Sequence, residues 1–163
     1  MSRWTIRSAT PDDAPAIADV HRRSSPDAAD HSVHWRTRLS NPAPASAGWV
    51  AEDDAGAVVG FCLAGPSPDD GGASTGHVHA LYVLPGAAGQ GIGSALLAAS
   101  LRHLRETGFS EATLWVGAGN EHARAFYAAR GWRPDGAMYE DATPGGFAVS
   151  LRYRRLLARR RRV

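Results

Sequence analysis

Two stretches of this chain carry residues whose types and spacing could do chemistry. Gly86-Ala87-Ala88-Gly89-Gln90-Gly91-Ile92-Gly93-Ser94 follows the β-prone run Leu81-Tyr82-Val83-Leu84-Pro85 and leads into an apolar helical pattern. A strand that feeds a glycine-rich turn into a helix leaves backbone N–H groups free, and the helix dipole adds to their attraction for an anion. Gly89, Gly91 and Gly93 remove the side chains that would block close approach, so a pyrophosphate-binding loop is expected here. A turn that needs its glycines only for shape is the plain alternative. Just upstream, Gly76-His77-Val78-His79 sets two imidazoles at i and i+2, on one face of a strand. With an unperturbed pKa near 6.5, a neutral histidine is a reasonable proton acceptor at pH 7 to 8. For His79 the competing account is packing or a structural hydrogen bond.

Composition removes several other chemistries. All 18 basic residues are arginine. With no lysine there is no Walker A phosphate loop and no Schiff-base or pyridoxal-phosphate chemistry. The dinucleotide-binding pattern G-x-G-x-x-G also fails, because the third glycine position counted from Gly91 and Gly93 is Leu96. Cys62 is the only cysteine and lies in the apolar run Val58-Val59-Gly60-Phe61-Cys62-Leu63, so it reads as packing rather than as a nucleophile. His31 and His34 stand at helical i, i+3 spacing without an evident third ligand, so no metal site is expected.

The net charge of +2 hides an asymmetry. Six arginines, among them Arg159 to Arg162, fall in the last ten residues, and the body from Met1 to Tyr153 carries 12 Arg against 16 Asp plus Glu. A mildly acidic body suits a cationic amine substrate. The arginine tail, set apart as residues 156–163, reads as a solvated terminus, and no interleaved aromatics support nucleic-acid contact. No apolar run approaches the roughly 20 residues of a membrane span, and a reducing, cytoplasmic setting is expected.

The elements that must position these residues can be read along residues 1–155. Trp4-Thr5-Ile6-Arg7 is β-prone, and Thr10-Pro11-Asp12-Asp13 opens a helix with Ala14, Ile17, Ala18 and Val20 on its apolar face. A second helix is expected over about 30–39. Two strands follow, Gly48 to Glu52 and Ala57 to Ala64, joined at Asp53-Asp54-Ala55-Gly56. The polar, glycine-rich stretch 67–76 is expected as a surface loop. A strand over 77–84, the glycine loop and a helix over 94–106 come next, with Leu96, Leu97, Leu101 and Leu104 inward. A strand over 112–116, a helix over 120–130 and a last hairpin around Trp132-Arg133 and Phe147 to Tyr153 complete the order. The fold class is therefore α/β (α+β): one domain, a mixed and mostly antiparallel sheet of about seven strands flanked by about four helices.

Here the chain resembles the GCN5-related N-acetyltransferase family. Its signature is Gln/Arg-x-x-Gly-x-Gly/Ala after a Leu-Tyr-Val-x-Pro strand. The second half, Asn-x-x-Ala-x-x-Phe-Tyr-x-x-x-Gly-Phe, is matched by Asn120, Ala123, Phe126, Tyr127, Gly131 and Trp132. The resemblance is specific from Gly76 to Trp132 and looser elsewhere. One departure stands out. The family's leading Gln or Arg is Ala88, which should weaken rather than abolish cofactor binding.

The resemblance implies acetyl-CoA as co-substrate and no metal. Leu81, Tyr82 and Val83 would offer backbone groups to the pantetheine arm, and the Val83 N–H would polarise the thioester carbonyl. Gly89, Gln90, Gly91, Ile92, Gly93 and Ser94 would hold the pyrophosphate, Asn120 would contact the cofactor, and Tyr127 would stand beside its sulfur. Family members with a Glu base carry it at the position of His77 or of Trp115, and neither Glu is present. The two histidines resemble instead the paired histidines of arylalkylamine N-acetyltransferases, which relay a proton through water. His77 is the favoured base. The acceptor would be a small amine, an antibiotic, an amino acid or a protein N-terminus. Trp35, Trp49 and Tyr139 are candidates for its pocket, each with core or rim packing as the alternative. Homodimers are common in such a family. The rival is a non-catalytic acyl-CoA sensor whose arginine tail docks RNA or a protein.

Overall fold

The computed structural model describes residues 3–24, 32–69, 74–143 and 146–157. Thirteen elements run in the order β1 (Trp4–Ser8), a 3-10 turn (Pro11–Asp13), α1 (Ala14–Ser24), α2 (Ser32–Ser40), β2 (Ala47–Asp53), β3 (Val58–Pro66), β4 (Thr75–Val83), a second 3-10 turn (Pro85–Ala87), α3 (Ile92–Glu106), β5 (Glu111–Gly117), α4 (Glu121–Ala128), β6 (Arg133–Thr143) and β7 (Gly146–Leu156). The seven strands form one sheet in the order β1-β2-β3-β4-β5-β7-β6. All neighbours are antiparallel except β4 and β5.

Helices cover both faces of the sheet, and β3 shows why. Phe61 and Leu63 join Ile17, Val20 and Trp35 of α1 and α2 in one core. Cys62 and Ala64 point the other way, into a core with Leu96, Leu97, Leu101 and Leu104 of α3. A strand buried on both faces reads as a continuous apolar run, which Val58 to Leu63 is. The expected apolar faces of the first and third helices are the buried ones: Ala14, Ile17, Ala18 and Val20, then the four leucines. Trp35 belongs to the core at 6% exposure. Trp49 packs edge-on against His103, with ring centroids 5.6 Å apart. Tyr139 is exposed and leans on Trp115.

Two features of the sheet shape the site. Strands β4 and β5 pair only at their start, Thr75 with Glu111, Gly76 with Ala112 and His77 with Thr113. Beyond His77 they part, and a wedge-shaped cavity of about 140 Å³ opens between them, walled by Leu81 on one side and Trp115 on the other. The second feature is a bulge in β4. Leu63 pairs with Ala80 and Ala64 with Val78, so His79 is the extra residue with no partner on β3. A bulge re-aims the side chain it carries.

The terminal hairpin is longer than expected. β6 runs on past Arg133 through Pro134-Asp135-Gly136 by way of an irregularity between Pro134 and Met138. Asp135 holds this irregularity to β7, accepting from Arg152 Nε at 2.6 Å and from Arg154 Nε at 3.2 Å. Residue 156, counted with the tail in the sequence, is the last residue of β7. Residues 158–163, His31 and part of the expected 67–76 loop lie outside the described residues.

Candidate active site

The glycine loop is built as a cradle. Gly89 and Gly91 adopt φ of 81° and 82°, left-handed values that side chains disfavour. Gly91 caps α3, which begins at Ile92 rather than at Ser94, so Gly93 and Ser94 lie in the first turn. Ile92 is 1% exposed and anchors that turn in the core. The Gln90 carbonyl accepts from Trp4 Nε1 at 3.1 Å, which ties the loop to β1.

The cradle is one wall of a cavity of about 610 Å³, closed on the opposite side by Asn120, Ala123, Phe126, Tyr127 and Arg130. Leu81, Tyr82 and Val83 form its floor. Residues 89, 91, 92, 93 and 94 all line it, whereas Gln90 faces a neighbouring cleft. Gly86 and Gly89 have open space where a Cβ would stand, and Gly93 has only the Phe126 ring and Val83 at 3.6 to 3.8 Å. Free amides, a helix N-terminus and room beside Gly93 fit a phosphate-bearing group.

Backbone direction along β4 follows from one bond. The Leu84 N–H is spent on the Val59 carbonyl, on the β3 side. Successive N–H groups of a strand point to opposite sides, so the Val83 N–H points away from β3. The Val83 carbonyl points the same way and accepts from Ser24 Oγ at 3.2 Å. The side chain of Tyr82 is occupied elsewhere, stacked near His21 and Phe61.

Asn120 is first a helix cap: its side-chain oxygen accepts from the Ala123 N–H at 3.1 Å. Tyr127, seven residues on, is 8% exposed and lines both the cradle cavity and the wedge. Burial pushes its phenol above the ordinary value, with the nearby Cys62 and Tyr82 adding to the effect, so the hydroxyl is a proton donor at neutral pH. The Cys62 thiol is fully buried and pushed up to about 12 by desolvation. It is no nucleophile.

The two histidines separate in depth. Their rings lie 4.8 Å apart. His77 is 4% exposed, and its Nδ1 is hydrogen-bonded to Thr113 Oγ1 at 2.7 Å. His79, on the bulge, lines the wedge beside Tyr127. His77 was the favoured base from the sequence; the bulge at residue 79 brings the His79 side chain to the wedge, and His77 is not part of that lining. Burial lowers both pKa values, to about 4 for His77 and about 3 for His79, with the Arg38 charge adding to each. Both are neutral at physiological pH.

That shift carries a stability prediction. An unfolded His binds a proton near pH 6.5, whereas folded His77 resists until about 4, so below 6.5 acid favours unfolding. The contribution is complete above pH 6.5 and lost through the window from 6.5 to 4. The unfolding free energy is expected to fall across that window by up to about 3 kcal/mol from His77, with His79 adding a fall of its own, and His77→Gln should remove the His77 share. Parallel pH curves for parent and variant would show that His77 titrates normally.

One further side chain in the cradle was not singled out from sequence. Arg130 lies over the Phe126 ring at 3.7 Å and donates from Nη2 to Ser94 Oγ at 2.6 Å. Its i, i+4 spacing from Phe126 was the available signal. Arg130 stands across the cavity from Ala88, where the family pattern has Gln or Arg. Among the described residues, no cluster of three His, Cys, Asp or Glu is placed to hold a metal, and no helix is long and apolar enough to cross a membrane.

Residues 14–132 match the acetyltransferase (GNAT) family, and the chain belongs to that family. A mycothiol acetyltransferase of Propionibacterium freudenreichii is 39% identical over 83 residues, which is 51% of this chain and 26% of that protein. An uncharacterized N-acetyltransferase of Archaeoglobus fulgidus is 43% identical over 58 residues, covering 36% of this chain and 40% of the relative. The chain thus spans well under half the length of these relatives. Among solved structures, the ribosomal-protein-S18-alanine N-acetyltransferase of Escherichia coli superposes with a TM-score of 0.78 at 20% identity, covering 97% of this chain and 96% of that one. An acetyltransferase of Salmonella typhimurium, solved with its cofactor acetyl-CoA, gives 0.80 at 19% identity, covering 98% and 96%. At such identities the likeness is one of fold.

Proposed function

We propose that this chain transfers the acetyl group of acetyl-CoA to a primary amine by direct attack in a ternary complex. The observation that carries this reading is the wedge. Strands β4 and β5 part after His77, and the free edge of β4 leads from the glycine cradle to Tyr127 and His79. An extended thiol arm can lie along that edge as an added strand, with its phosphates at the N-terminus of α3. Bound acetyl-CoA would supply an activated acyl group and a thiolate leaving group.

The chain's own residues then have separable roles. The amides of Gly89, Gly91, Ile92 and Gly93 would hold the diphosphate, with Gln90 shaping the loop from outside. Ser94 would be held in place by Arg130, whose charge serves the same anion. The outward Val83 N–H would stabilise negative charge on the acyl oxygen. Asn120 would shape the wall as the cap of α4. Tyr127 would donate its proton to the departing sulfur.

An aliphatic amine with pKa near 10 arrives protonated and must lose a proton to attack. Desolvation beside two neutral imidazoles disfavours its charged form as well. His79, a weak base with its pKa near 3, would relay to water the proton that the amine sheds as it bonds to carbon, and His77, fixed by Thr113, would orient it. A panel of amine acceptors, read by release of free CoA, tests the reaction. His79→Ala is expected to lower kcat by about 10²-fold, with acetyl-CoA affinity unchanged and a smaller loss for His77→Ala. A larger loss for His77→Ala would return the base to His77.

A further inference from the structure

A second cavity, of about 570 Å³, lies on the α2 side of the sheet, between the last turn of α2, the start of β2 and the end of β3. His79 belongs to its wall and to the wall of the wedge, so the two spaces meet at that imidazole. Leu39, Pro42, Leu63 and Pro66 make much of the lining apolar. Arg38 also lines it.

Arg38 differs from the other half-buried arginines of the sheet and its approaches. Arg7 is tied to Asp13 and Glu52, Arg152 to Asp69 and Asp135, and Arg154 to Glu111 and Asp135. Arg38 has neither a carboxylate nor a hydrogen-bond acceptor among the described residues. Burial alone acts on it, lowering its pKa with no acid to offset the effect. A half-desolvated cation without a counterion is costly to keep, and a ligand can supply the missing anion. The guanidinium fork matches a carboxylate in two parallel hydrogen bonds.

Resting on the transfer reaction above, we infer that the acceptor is an amine that carries its own carboxylate, of the amino-acid type with an apolar side group. Arg38 takes the carboxylate, the apolar walls take the side group, and the amine is presented at His79. Attack then forms the amide C–N bond and breaks the thioester C–S bond. The amine proton passes by way of His79 to water, and the sulfur leaves with the proton of Tyr127. The acidic body does not oppose this, because the cation that matters is local to the cavity.

Two matched pairs, leucine with 3-methylbutylamine and phenylalanine with 2-phenylethylamine, test it beside a peptide amide with a free N-terminus as control, all read by CoA release. The carboxylate member of each pair is expected to exceed its partner by about 100-fold in kcat/KM. Arg38→Gln should erase that preference through KM, leave acetyl-CoA affinity untouched, move the plain amines only as far as His79 becomes easier to protonate without the Arg38 charge, and melt no lower than the parent. Arg38→Lys should restore part of the preference. Equal rates within pairs, preference for the peptide amide, or an Arg38→Gln loss shared by both members would overturn the assignment. Acetylation of plain amines alone overturns only the carboxylate. Binding of acetyl-CoA with no acceptor of any class would overturn the transfer reaction, and the assignment with it.

Discussion

Gly93→Asp is expected to fold at least as well as the parent chain and to lose about 100-fold or more in acetyl-CoA affinity. The two halves of that expectation have opposite signs, which makes the variant informative. Gly93 is in the first turn of α3, where its φ is ordinary and a Cβ would meet only Phe126 and Val83 at van der Waals distance. Replacing a helical glycine recovers roughly 0.5–1 kcal/mol, and a carboxylate in the first turn is favoured by the dipole. The same carboxylate points into the cavity that the amides of residues 89–94 open onto. There it occupies the place of an anion and repels the next one. Gly86→Asp, one cleft away and facing open space, is the control and should change affinity little. Calorimetry and melting together give the result. Unchanged acetyl-CoA affinity in a folded Gly93→Asp protein would remove the cradle from the site.

The sequence was most legible where local rules and tertiary packing agree. Leu96, Leu97, Leu101 and Leu104 repeat at helical spacing, and nothing else could use that stripe but the sheet beneath them. The glycine loop was legible because left-handed φ values at Gly89 and Gly91 exclude most other residues. What it hid were consequences of pairing. Period-2 reasoning assumes an unbroken pleat, and it could not place the bulge at residue 79, whose side chain lines the wedge. The irregularity at Asp135 and Gly136 is another, held by the Ala137 N–H on Asp135 and by Arg152 and Arg154 of the facing strand. Arg38 is inconspicuous in sequence because its distinction is the lack of a partner among the described residues, and partners are a property of the folded chain. Asn120 shows a mixed case: its position was expected from the family pattern, while its capping bond to Ala123 follows from helix chemistry alone.

The side chain with the most to lose by a single atom is Tyr127. It sits where the cradle cavity and the wedge meet, and its ring packs edge-on against Phe126 at 5.3 Å and Trp132 at 5.9 Å. Those contacts fix the ring, so Tyr127→Phe removes the hydroxyl without loosening its surroundings. Burial raises the phenol's pKa and keeps it protonated through the neutral range, the state required of an acid that serves a departing thiolate. The bond to sulfur strengthens only as charge develops there, so its loss is felt in the transition state and hardly in the ground state. Turnover on a good acceptor is therefore expected to fall by about 10- to 10³-fold, with acetyl-CoA affinity and melting temperature nearly unchanged. Because a thioester whose leaving group is already a weak base needs the acid less, the loss should shrink with an acyl donor built on a more acidic thiol. Equal losses across donors of different thiol pKa would mean that Tyr127 positions the acyl group instead. Full activity in Tyr127→Phe would leave the phenol as packing, with the thiolate departing on its own.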